Sequence, residues 1–265
     1  MRTVRKWQVA LLVACASAAL PALAKMQQRP VEWQLDGARY SGVLVFDDDG
    51  DARRPGVVMV PNWRGVNASA IEKAGRIAGD DYVVLVADVY GSAVRPKGDA
   101  EAAAASRPLR ENRELLRARA RAALDALKAQ AGKAPLDASR IAAVGFCFGG
   151  STVLEMARAG MPLAGVVSLH GGLSTPSPAA AGSGKVPMLV LNGAADRGVT
   201  AGDIAAFGAE MDAAGADWQF VNFSGAVHCF AEADANSPPG CVYDPRAARR
   251  AWKMMDGFLE ERLGD

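Results

Sequence analysis

The sequence is poor in the features that mark several classes of protein. Lys and Arg total 30 against 29 Asp and Glu, so no positive excess is present to attract nucleic acid or an acidic membrane. Aromatic residues make up 6% of the chain, which contains two histidines and four cysteines. Its 28 glycines follow no triplet period and no heptad run is sustained, which excludes collagen and coiled coils. Half of the 265 residues are hydrophobic, so we expect a globular protein with a large core and no nucleic-acid partner.

The first 24 residues are typical of a secretory signal peptide. Arg2, Arg5 and Lys6 form a basic start, an uncharged apolar run extends from Val9 to Leu20, and residues 22–24 read Ala-Leu-Ala, the small-x-small pattern of a cleavage site. The run is too short to span a bilayer comfortably. We therefore predict a periplasmic or secreted protein that begins near residue 25 and has no stable membrane insertion after cleavage.

A second interpretation of this segment stays open. Leu12-Val13-Ala14-Cys15 resembles a lipobox, in which Cys15 would be acylated and would anchor the protein to a membrane. The residues after Cys15 stay apolar, whereas a lipoprotein usually becomes polar there, so the cleaved signal peptide is the favoured prediction.

Export leaves three cysteines, Cys147, Cys229 and Cys241. An odd number in an oxidising compartment favours one disulfide and one free thiol. Cys229 and Cys241 bracket a Pro-Gly-containing loop over Ala231–Gly240, for which we expect neither helix nor strand, and they form the candidate disulfide. The alternative is three unrelated buried thiols.

Strands alternate with helices along the rest of the chain. Val31–Leu35 and Tyr40–Val45 flank Asp36-Gly37 and predict an antiparallel hairpin. Further strands are predicted over 56–60, 82–87, 141–144, 165–169, 186–191 and 217–223, and helices over 68–78, 109–129, 149–159, 204–214 and 246–263. Apolar strands joined by helices predict an α/β fold, a mostly parallel central sheet with helices on both faces. We expect one domain over residues 25–265, and we interpret the charged helix over 109–129 as a solvated surface.

The strongest chemical signal is the segment Gly-Phe-Cys-Phe-Gly-Gly at residues 145–150. It follows an apolar strand and opens a helix, as a nucleophile elbow does, with Cys147 in place of the usual serine. Small residues are needed here because the strand and the helix approach closely. The helix N-terminus favours a thiolate, so we predict that Cys147 is a nucleophile and not a buried packing cysteine.

A nucleophile needs a base, and the two histidines differ in position. In α/β-hydrolases the order is nucleophile, acid, histidine, with the histidine after the last strand. His228 fits that place, whereas His170 is more simply a hydrogen-bonded histidine that lines the site or the core. Asp196, in the loop after the strand at 186–191, is the candidate acid. Its competitor Asp203 is explained by an N-cap role before Ile204.

These motifs together resemble the dienelactone hydrolase family. Three segments carry the likeness: the elbow, Asn-Gly-Ala-Ala-Asp at 192–196 and Gly-Ala-Val-His-Cys-Phe at 225–230. Two more are also similar to family segments, Pro-Asn-Trp-Arg-Gly-Val-Asn at 61–67 and Ala-Asp-Val-Tyr-Gly at 87–91. The resemblance implies an α/β-hydrolase fold and cofactor-free, metal-free hydrolysis of an ester or lactone through Cys147, Asp196 and His228. It also implies an oxyanion hole formed by the backbone N–H groups of Phe148 and Trp63.

The sequence departs from the family pattern at two places. Family enzymes that open dienelactones carry a Glu that pairs with the resting thiol, where this chain has Asn62. They also hold the substrate carboxylate with arginines, one of them just after the catalytic histidine, where this chain has no arginine. Arg64 and Arg95 are the candidate replacements, and an anionic dienelactone is not the expected substrate.

We therefore expect an exported hydrolase of small-molecule esters or lactones that acts through a thioester, as a monomer or a small homo-oligomer. The alternative from another class is a non-catalytic periplasmic binding or stress protein on a hydrolase scaffold. A redox role for Cys147 is disfavoured because the sequence has no Cys-x-x-Cys partner for it.

Overall fold

The computed structural model describes residues 26–49 and 52–264, so the predicted targeting segment and its Cys15 lie outside the described residues. The strands are β1 (Met26–Leu35), β2 (Ala38–Asp47), β3 (Arg54–Val60), β4 (Val83–Val86), β5 (Leu136–Phe146), β6 (Val166–Leu169), β7 (Met188–Gly193), β8 (Trp218–Phe223), β9 (Asn236–Ser237) and β10 (Cys241–Val242). The helices are α1 (Ala68–Ala78), α2 (Asp99–Glu111), α3 (Arg113–Lys128), α4 (Phe148–Arg158), α5 (Ala201–Ala214) and α6 (Pro245–Leu263).

Eight strands form one sheet in the order β1-β2-β4-β3-β5-β6-β7-β8. The pairs β1–β2 and β2–β4 are antiparallel, and the five remaining pairs, from β4–β3 to β7–β8, are parallel. The predicted hairpin is confirmed: Asp36 and Gly37 connect its strands with positive φ angles of 49° and 76°, as a type I′ turn requires. The mostly parallel sheet is confirmed as well.

The two faces of the sheet carry separate hydrophobic cores because strand side chains alternate. Val57 and Met59 of β3 pack with residues of α1 and α6, whereas Val58 and Val60 pack with residues of α3, α4 and α5. This arrangement covers both faces with helices and leaves the carboxyl ends of the parallel strands at one edge, where loops meet. None of the helices in the described ranges has the length and apolar character that a membrane crossing requires.

The single helix expected over Leu109–Ala129 is wrong, because the structure divides this region. Helix α2 begins at Asp99 and ends at Glu111, and α3 begins at Arg113. Asn112 between them is non-helical, with φ −121° and ψ 94°, and its side chain accepts a hydrogen bond from the backbone N–H of Leu115. Asn112 therefore caps α3, a role that competes with helix continuation.

The loop after His228 also differs from the expectation of no strand over Ala231–Gly240. Asn236–Ser237 pairs in antiparallel register with Cys241–Val242 as a short separate ribbon. The two-residue strands lack the alternating apolar pattern by which strands are predicted, which explains why the sequence did not reveal them.

Candidate active site

The nucleophile elbow is built by the tight crossing of β5 and α4. Cys147 lies between them with φ 54° and ψ −115°, a conformation that an L-residue rarely adopts. A Cβ atom on Gly145 would lie 2.1 Å from the carbonyl oxygen of Gly149, and one on Gly149 would lie 2.0 Å from the carbonyl oxygen of Val60. The glycines are therefore required by backbone contact, and they fix Cys147 at the N-terminus of α4.

Three loops bring Cys147, His228 and Asp196 into one line. The Nε2 atom of His228 lies 3.0 Å from the Sγ atom of Cys147, and its Nδ1 atom lies 2.7 Å from Oδ2 of Asp196. Asp196 follows β7 and is buried, while His228 follows β8 and is partly buried. A thiol, an imidazole and a carboxylate in hydrogen-bond sequence form the geometry of an activated nucleophile.

The partners of His228 control its charge. Burial alone lowers its pKa, but the hydrogen bonds to Asp196 and Cys147 and the charges of both groups outweigh burial and raise the pKa to about 10. The imidazole ring is therefore protonated at neutral pH, opposite the sulfur on one side and the carboxylate on the other.

Asp196 and Asp203 have different environments. Burial raises the pKa of Asp196, yet the hydrogen bond and charge of His228 and the N–H of Gly198 lower it below its ordinary value, so Asp196 stays ionised. Asp203 lies at the third position of α5 and accepts hydrogen bonds from the backbone N–H and hydroxyl of Thr200. Asp203 thus has a capping role as the partner of the N-cap in a capping box, not as the N-cap itself, which is Thr200.

His170 is fully buried behind the nucleophile. Its Nδ1 atom accepts a hydrogen bond from the backbone N–H of Cys147 at 3.1 Å, and its ring lies edge-on to that of His228 with centroids 5.3 Å apart. Burial, followed by the charges of His228 and Lys73, lowers the pKa of His170 well below 6.5, so this ring is neutral. His170 makes no hydrogen bond to the sulfur in the structure.

The backbone groups expected to form an oxyanion hole lie beside the elbow. Phe148 is the first residue of α4, a position whose N–H has no partner within the helix. Trp63 lies in the loop after β3, and its carbonyl oxygen accepts the hydroxyl of Tyr90 at 2.9 Å. Burial raises the pKa of Tyr90 above its ordinary value, which keeps this hydroxyl protonated as a donor.

Two cavities meet at Cys147. The larger, about 290 Å³, is lined by Asn62, Trp63, Arg64, Asn67, Ser69, Asp99, Glu232, Asp234 and residues of the β9–β10 ribbon. The smaller, about 160 Å³, is lined by Arg110, Phe148, Ser151, Asp196, Val199 and His228. A cavity of about 690 Å³ between the start of β3 and the end of α6 lacks the three aligned residues, so its size alone does not make it the reaction site. Among the described residues no group of three His, Cys, Asp or Glu could hold a metal ion.

Comparison with known proteins identifies the family. The profile of the Dienelactone hydrolase family matches residues 41–263. The chain belongs to the dienelactone hydrolase family. It is therefore a hydrolase with a small-molecule substrate, which argues against the non-catalytic alternative.

Relatives support this assignment. The chain is 36% identical to a dienelactone hydrolase-like promiscuous phosphotriesterase from metagenomic libraries, with a TM-score of 0.83 over 90% of this chain and 99% of that one. It is 33% identical to an uncharacterized Caenorhabditis elegans protein over 157 residues, which are 55% of this chain and 93% of that protein. A putative dienelactone hydrolase from Klebsiella pneumoniae has the same fold, with a TM-score of 0.75 at 21% identity over 89% of this chain and 99% of that one.

Within this dienelactone hydrolase fold, Asn62 binds another loop. Its side-chain amide donates to Oε2 of Glu232 at 2.6 Å, and its carbonyl oxygen accepts the backbone N–H of Arg64 at 3.0 Å. Arg64 lines the larger cavity but is paired with Asp99. Neither residue presents an unpaired charge to a substrate.

Arg95 is not brought to either cavity beside Cys147. Its guanidinium donates to the carbonyl oxygens of Ser41 and Gly91 and pairs with Asp88 at 3.2 Å, so it joins β2 to the loop after β4. Its role in the described structure is to hold that loop, and the idea that it replaces a substrate-binding arginine is not supported.

Arg110 is the cation that sequence reasoning missed. It lines the smaller cavity, its guanidinium carbon lies 5.2 Å from the centre of the Phe148 ring, and the described part of the chain shows no ion pair or hydrogen bond for it. The sequence placed Arg110 on a solvated helix face, and only the tertiary packing of α2 against the elbow shows its place beside the site.

The disulfide predicted as one of two alternatives is present, since Cys229 and Cys241 are bonded and Cys147 is the one free cysteine among the described residues. Cys229 directly follows His228, and the N–H of Val242 donates to the carbonyl oxygen of His228 at 3.1 Å. The crosslink and this hydrogen bond both fix the backbone that carries the imidazole ring.

Proposed function

We propose that this hydrolase cleaves carboxylic esters or lactones without a cofactor, with Cys147 as nucleophile, His228 as acid and base, and Asp196 as the group that orients His228. The observation that carries the proposal is the hydrogen-bonded line from Sγ of Cys147 through the imidazole ring to Asp196, with contacts of 3.0 and 2.7 Å. The presence of Cys147 at a helix N-terminus, where a thiolate is stabilised, supports the same role.

In the first half of the reaction, the thiolate of Cys147 attacks the carbonyl carbon and a tetrahedral oxyanion forms. The N–H groups of Phe148 and Trp63 are the proposed donors to this oxyanion. Collapse breaks the bond between carbon and the leaving oxygen, and protonated His228 supplies the proton that the alcohol takes away. The product of this half is a thioester on Cys147.

In the second half, His228 is neutral and takes a proton from water as the water attacks the thioester carbonyl. The second tetrahedral intermediate expels the thiolate and releases the acid. Asp196, which stays ionised, keeps Nδ1 of the ring as a donor and therefore directs Nε2 toward the sulfur and the substrate.

The asymmetry of charge around Cys147 supports a neutral substrate in the larger cavity. Asp99, Glu232 and Asp234 line it, and its cation Arg64 is paired with Asp99. A substrate carboxylate in this cavity would find Arg64 already paired and no unpaired cation, so a neutral group fits the larger cavity better than a carboxylate does. Among the described residues, the unpaired cation beside Cys147 is Arg110 of the smaller cavity.

The test is hydrolysis of nitrophenyl esters and a lactone panel by purified protein. We expect Cys147→Ala to abolish turnover, Cys147→Ser to leave a weak enzyme at best, and alkylation of the thiol to inactivate the wild type. Asp203→Asn is the matched control for Asp196→Asn, because Asp203 lies seven residues further along the chain in the first turn of α5 and only Asp196 contacts His228. Undiminished activity in Cys147→Ala would refute the assignment.

A second candidate activity is hydrolysis of phosphotriesters, and the 36% identity to a promiscuous phosphotriesterase favours it. A phosphotriester is neutral and also passes through a state with negative charge on a non-bridging oxygen, which the same N–H donors would stabilise. Diethyl nitrophenyl phosphate and nitrophenyl acetate release the same chromophore, so their kcat/KM values compare the two activities directly. Loss of both in Cys147→Ala would assign both to one thiol.

We also propose that the enzyme acts outside the cytoplasm. The basic start, the short apolar run and Ala-Leu-Ala at 22–24 support export, and a disulfide is typical of an oxidising compartment. Cell fractionation with N-terminal sequencing tests this: a mature N-terminus near residue 25 supports a cleaved signal peptide. A membrane-bound form that begins at Cys15 would support the lipoprotein alternative.

A further inference from the structure

A cluster of polar side chains lies behind the elbow, with His170 and Glu232 buried and Asn62 and Lys73 partly buried, and none of the proposed reaction steps uses it. It consists of His170, Glu232, Asn62 and Lys73, and we call it the rear cluster. Nε2 of His170 and Oε1 of Glu232 are both buried, and among the described residues neither has a hydrogen-bond partner. These two atoms lie 3.9 Å from each other. Two unpartnered polar atoms in contact distance call for a physical explanation, since buried polar groups are normally paired.

The other nitrogen of His170 determines its tautomer. The N–H of Cys147 donates to Nδ1, so Nδ1 carries no proton. The ring is neutral because burial and neighbouring positive charge lower the pKa of His170. A neutral imidazole with an unprotonated Nδ1 carries its proton on Nε2. The atom that lies near Glu232 is therefore a donor.

Glu232 presents the matching acceptor. Its Oε2 atom accepts the amide of Asn62 at 2.6 Å and lies 3.1 Å from the ammonium of Lys73, while its Oε1 atom has no other partner among the described residues. Burial raises the pKa of Glu232, while the ammonium of Lys73 and the amide of Asn62 act in the opposite direction. In its ionised form, Glu232 offers acceptor sites on both oxygens, which fits a donor on each. The 3.9 Å separation exceeds the outer limit of ~3.2 Å for such a bond by about 0.7 Å, so the bond requires the two side chains to approach each other by that distance.

We propose that His170 and Glu232 form a second histidine–carboxylate pair that positions the nucleophile, an inference that rests on the proposed role of Cys147. Glu232 holds the proton of His170 on Nε2, and Nδ1 in turn accepts the backbone N–H of Cys147, which it shares with the carbonyl oxygen of Leu169 at 3.0 Å. The backbone of Cys147 needs such support, because its φ of 54° lies in a region that L-residues avoid. Both side chains are positioning residues and make no contact with the reacting atoms.

The neutrality of His170 has a second consequence. Its ring lies edge-on to that of His228, with centroids 5.3 Å apart. A proton on both nitrogens of His170 would place a positive charge beside protonated His228 and would remove one of the two acceptors of the N–H of Cys147, the other being the carbonyl oxygen of Leu169. The His170–Glu232 pair thus supports the backbone conformation of Cys147 and the positive charge of His228.

The first test reads the tautomer directly by NMR of ¹⁵N-labelled imidazole rings, which is tractable because the chain has two histidines. A His228→Gln variant assigns the signals. We expect His170 in the wild type to show a protonated Nε2 and an unprotonated Nδ1, unchanged between pH 5 and 9. A proton on Nδ1, or a titration near the ordinary pKa of a histidine, would overturn the inference. This measurement needs no substrate.

The second test compares kinetics and thiol reactivity across variants. His170→Leu removes one of the two acceptors of the N–H of Cys147 and leaves the carbonyl oxygen of Leu169 at 3.0 Å. We expect kcat and the rate of Cys147 alkylation by iodoacetamide to fall on the order of 10-fold, with KM nearly unchanged. His170→Asn keeps an oxygen near the place of Nδ1 and is expected to recover most of that loss. Glu232→Gln is expected to lower kcat in the same sense and to give a mixture of His170 tautomers by NMR.

Ser168→Ala is the matched control, because Ser168 is buried two residues before His170 and its hydroxyl has no partner among the described residues. We expect wild-type kcat and alkylation for it. Wild-type kinetics in His170→Leu, or no recovery in His170→Asn, would refute the inference. If His170→Leu fails to fold, the asparagine variant and the wild-type NMR decide. An inactive wild type, or an active Cys147→Ala, would refute the proposed function instead, which separates the two failures.

Discussion

Removal of the Cys229–Cys241 disulfide should lower thermal stability by a calculable amount. The crosslink spans a sequence separation of 12, for which loop-closure entropy amounts to about 2.8 kcal/mol at 25 °C. For a domain of this size each kcal/mol shifts Tm by roughly 2–4 °C, so we expect a fall of about 6–11 °C. The perturbation is the double variant Cys229→Ser/Cys241→Ser, and the assay is differential scanning calorimetry of oxidised protein.

The same double variant also tests the effect of the disulfide on activity, because Cys229 directly follows His228 in the chain. We expect kcat of the double variant to fall more than its rate of Cys147 alkylation, since the loop of His228 loosens while the elbow is unchanged. Oxidised wild type without its first 24 residues should titrate as one thiol when native and as three after reduction and unfolding. As a control, a reductant should lower the Tm of the wild type and leave that of the double variant unchanged. Three thiols in the native oxidised protein, or a Tm shift below about 2 °C, would refute the reasoning.

Three further predictions follow from the site. His228→Ala should lower kcat by about three orders of magnitude or more in an ester assay, since it removes a member of the aligned triad; wild-type turnover would contradict the assignment. Asp196→Asn should lower the pKa of His228 from about 10 as followed by NMR, because it removes a hydrogen bond and a charge. The raised pKa of His228 stabilises the folded state fully below pH ~6.5, and this contribution is lost as the pH rises through about 10. Between these two pH values the unfolding free energy of the wild type should therefore fall more than that of Asp196→Asn. Gly149→Ala should unfold or inactivate the protein because its Cβ would lie 2.0 Å from the carbonyl oxygen of Val60, whereas Gly75→Ala, in α1 with no atom within 4 Å, should raise stability by about 0.5–1 kcal/mol in calorimetry.

Local patterns predicted the elements that local physics determines. Asp36-Gly37 between alternating strands fixed the hairpin, and apolar runs of strand length predicted the parallel strands. The elbow was predictable because the close backbone contacts require glycine on both sides of Cys147, and these glycines lie within two residues of it in the sequence. The break at Asn112 was missed because the apolar spacing continues through it and only the cap reveals the new helix.

Contacts between distant segments were not predictable in the same way. Asn62 and Glu232 are hydrogen-bonded across a sequence separation of 170, and no motif links them. Arg110 lies at the smaller cavity through the packing of α2, whereas the sequence analysis predicted a solvated helix over 109–129 that included only the last three residues of α2. The charges that surround Cys147 therefore depend on tertiary structure, whereas the order of Cys147, Asp196 and His228 along the chain was sufficient to nominate all three.

The substitution of Asn62 for the family glutamate changes how the resting thiol must be activated. An amide accepts no proton, and in this structure the amide of Asn62 donates to Glu232 instead of facing the sulfur. Glu232 is 3.9 Å from His170, and under the proposed pair it acts on the nucleophile through the imidazole ring and the backbone. The charge opposite the sulfur then comes from His228, whose raised pKa keeps it protonated at neutral pH. Under the proposed mechanism, activation of Cys147 therefore depends on His228 and the N-terminus of α4, and not on a neighbouring glutamate.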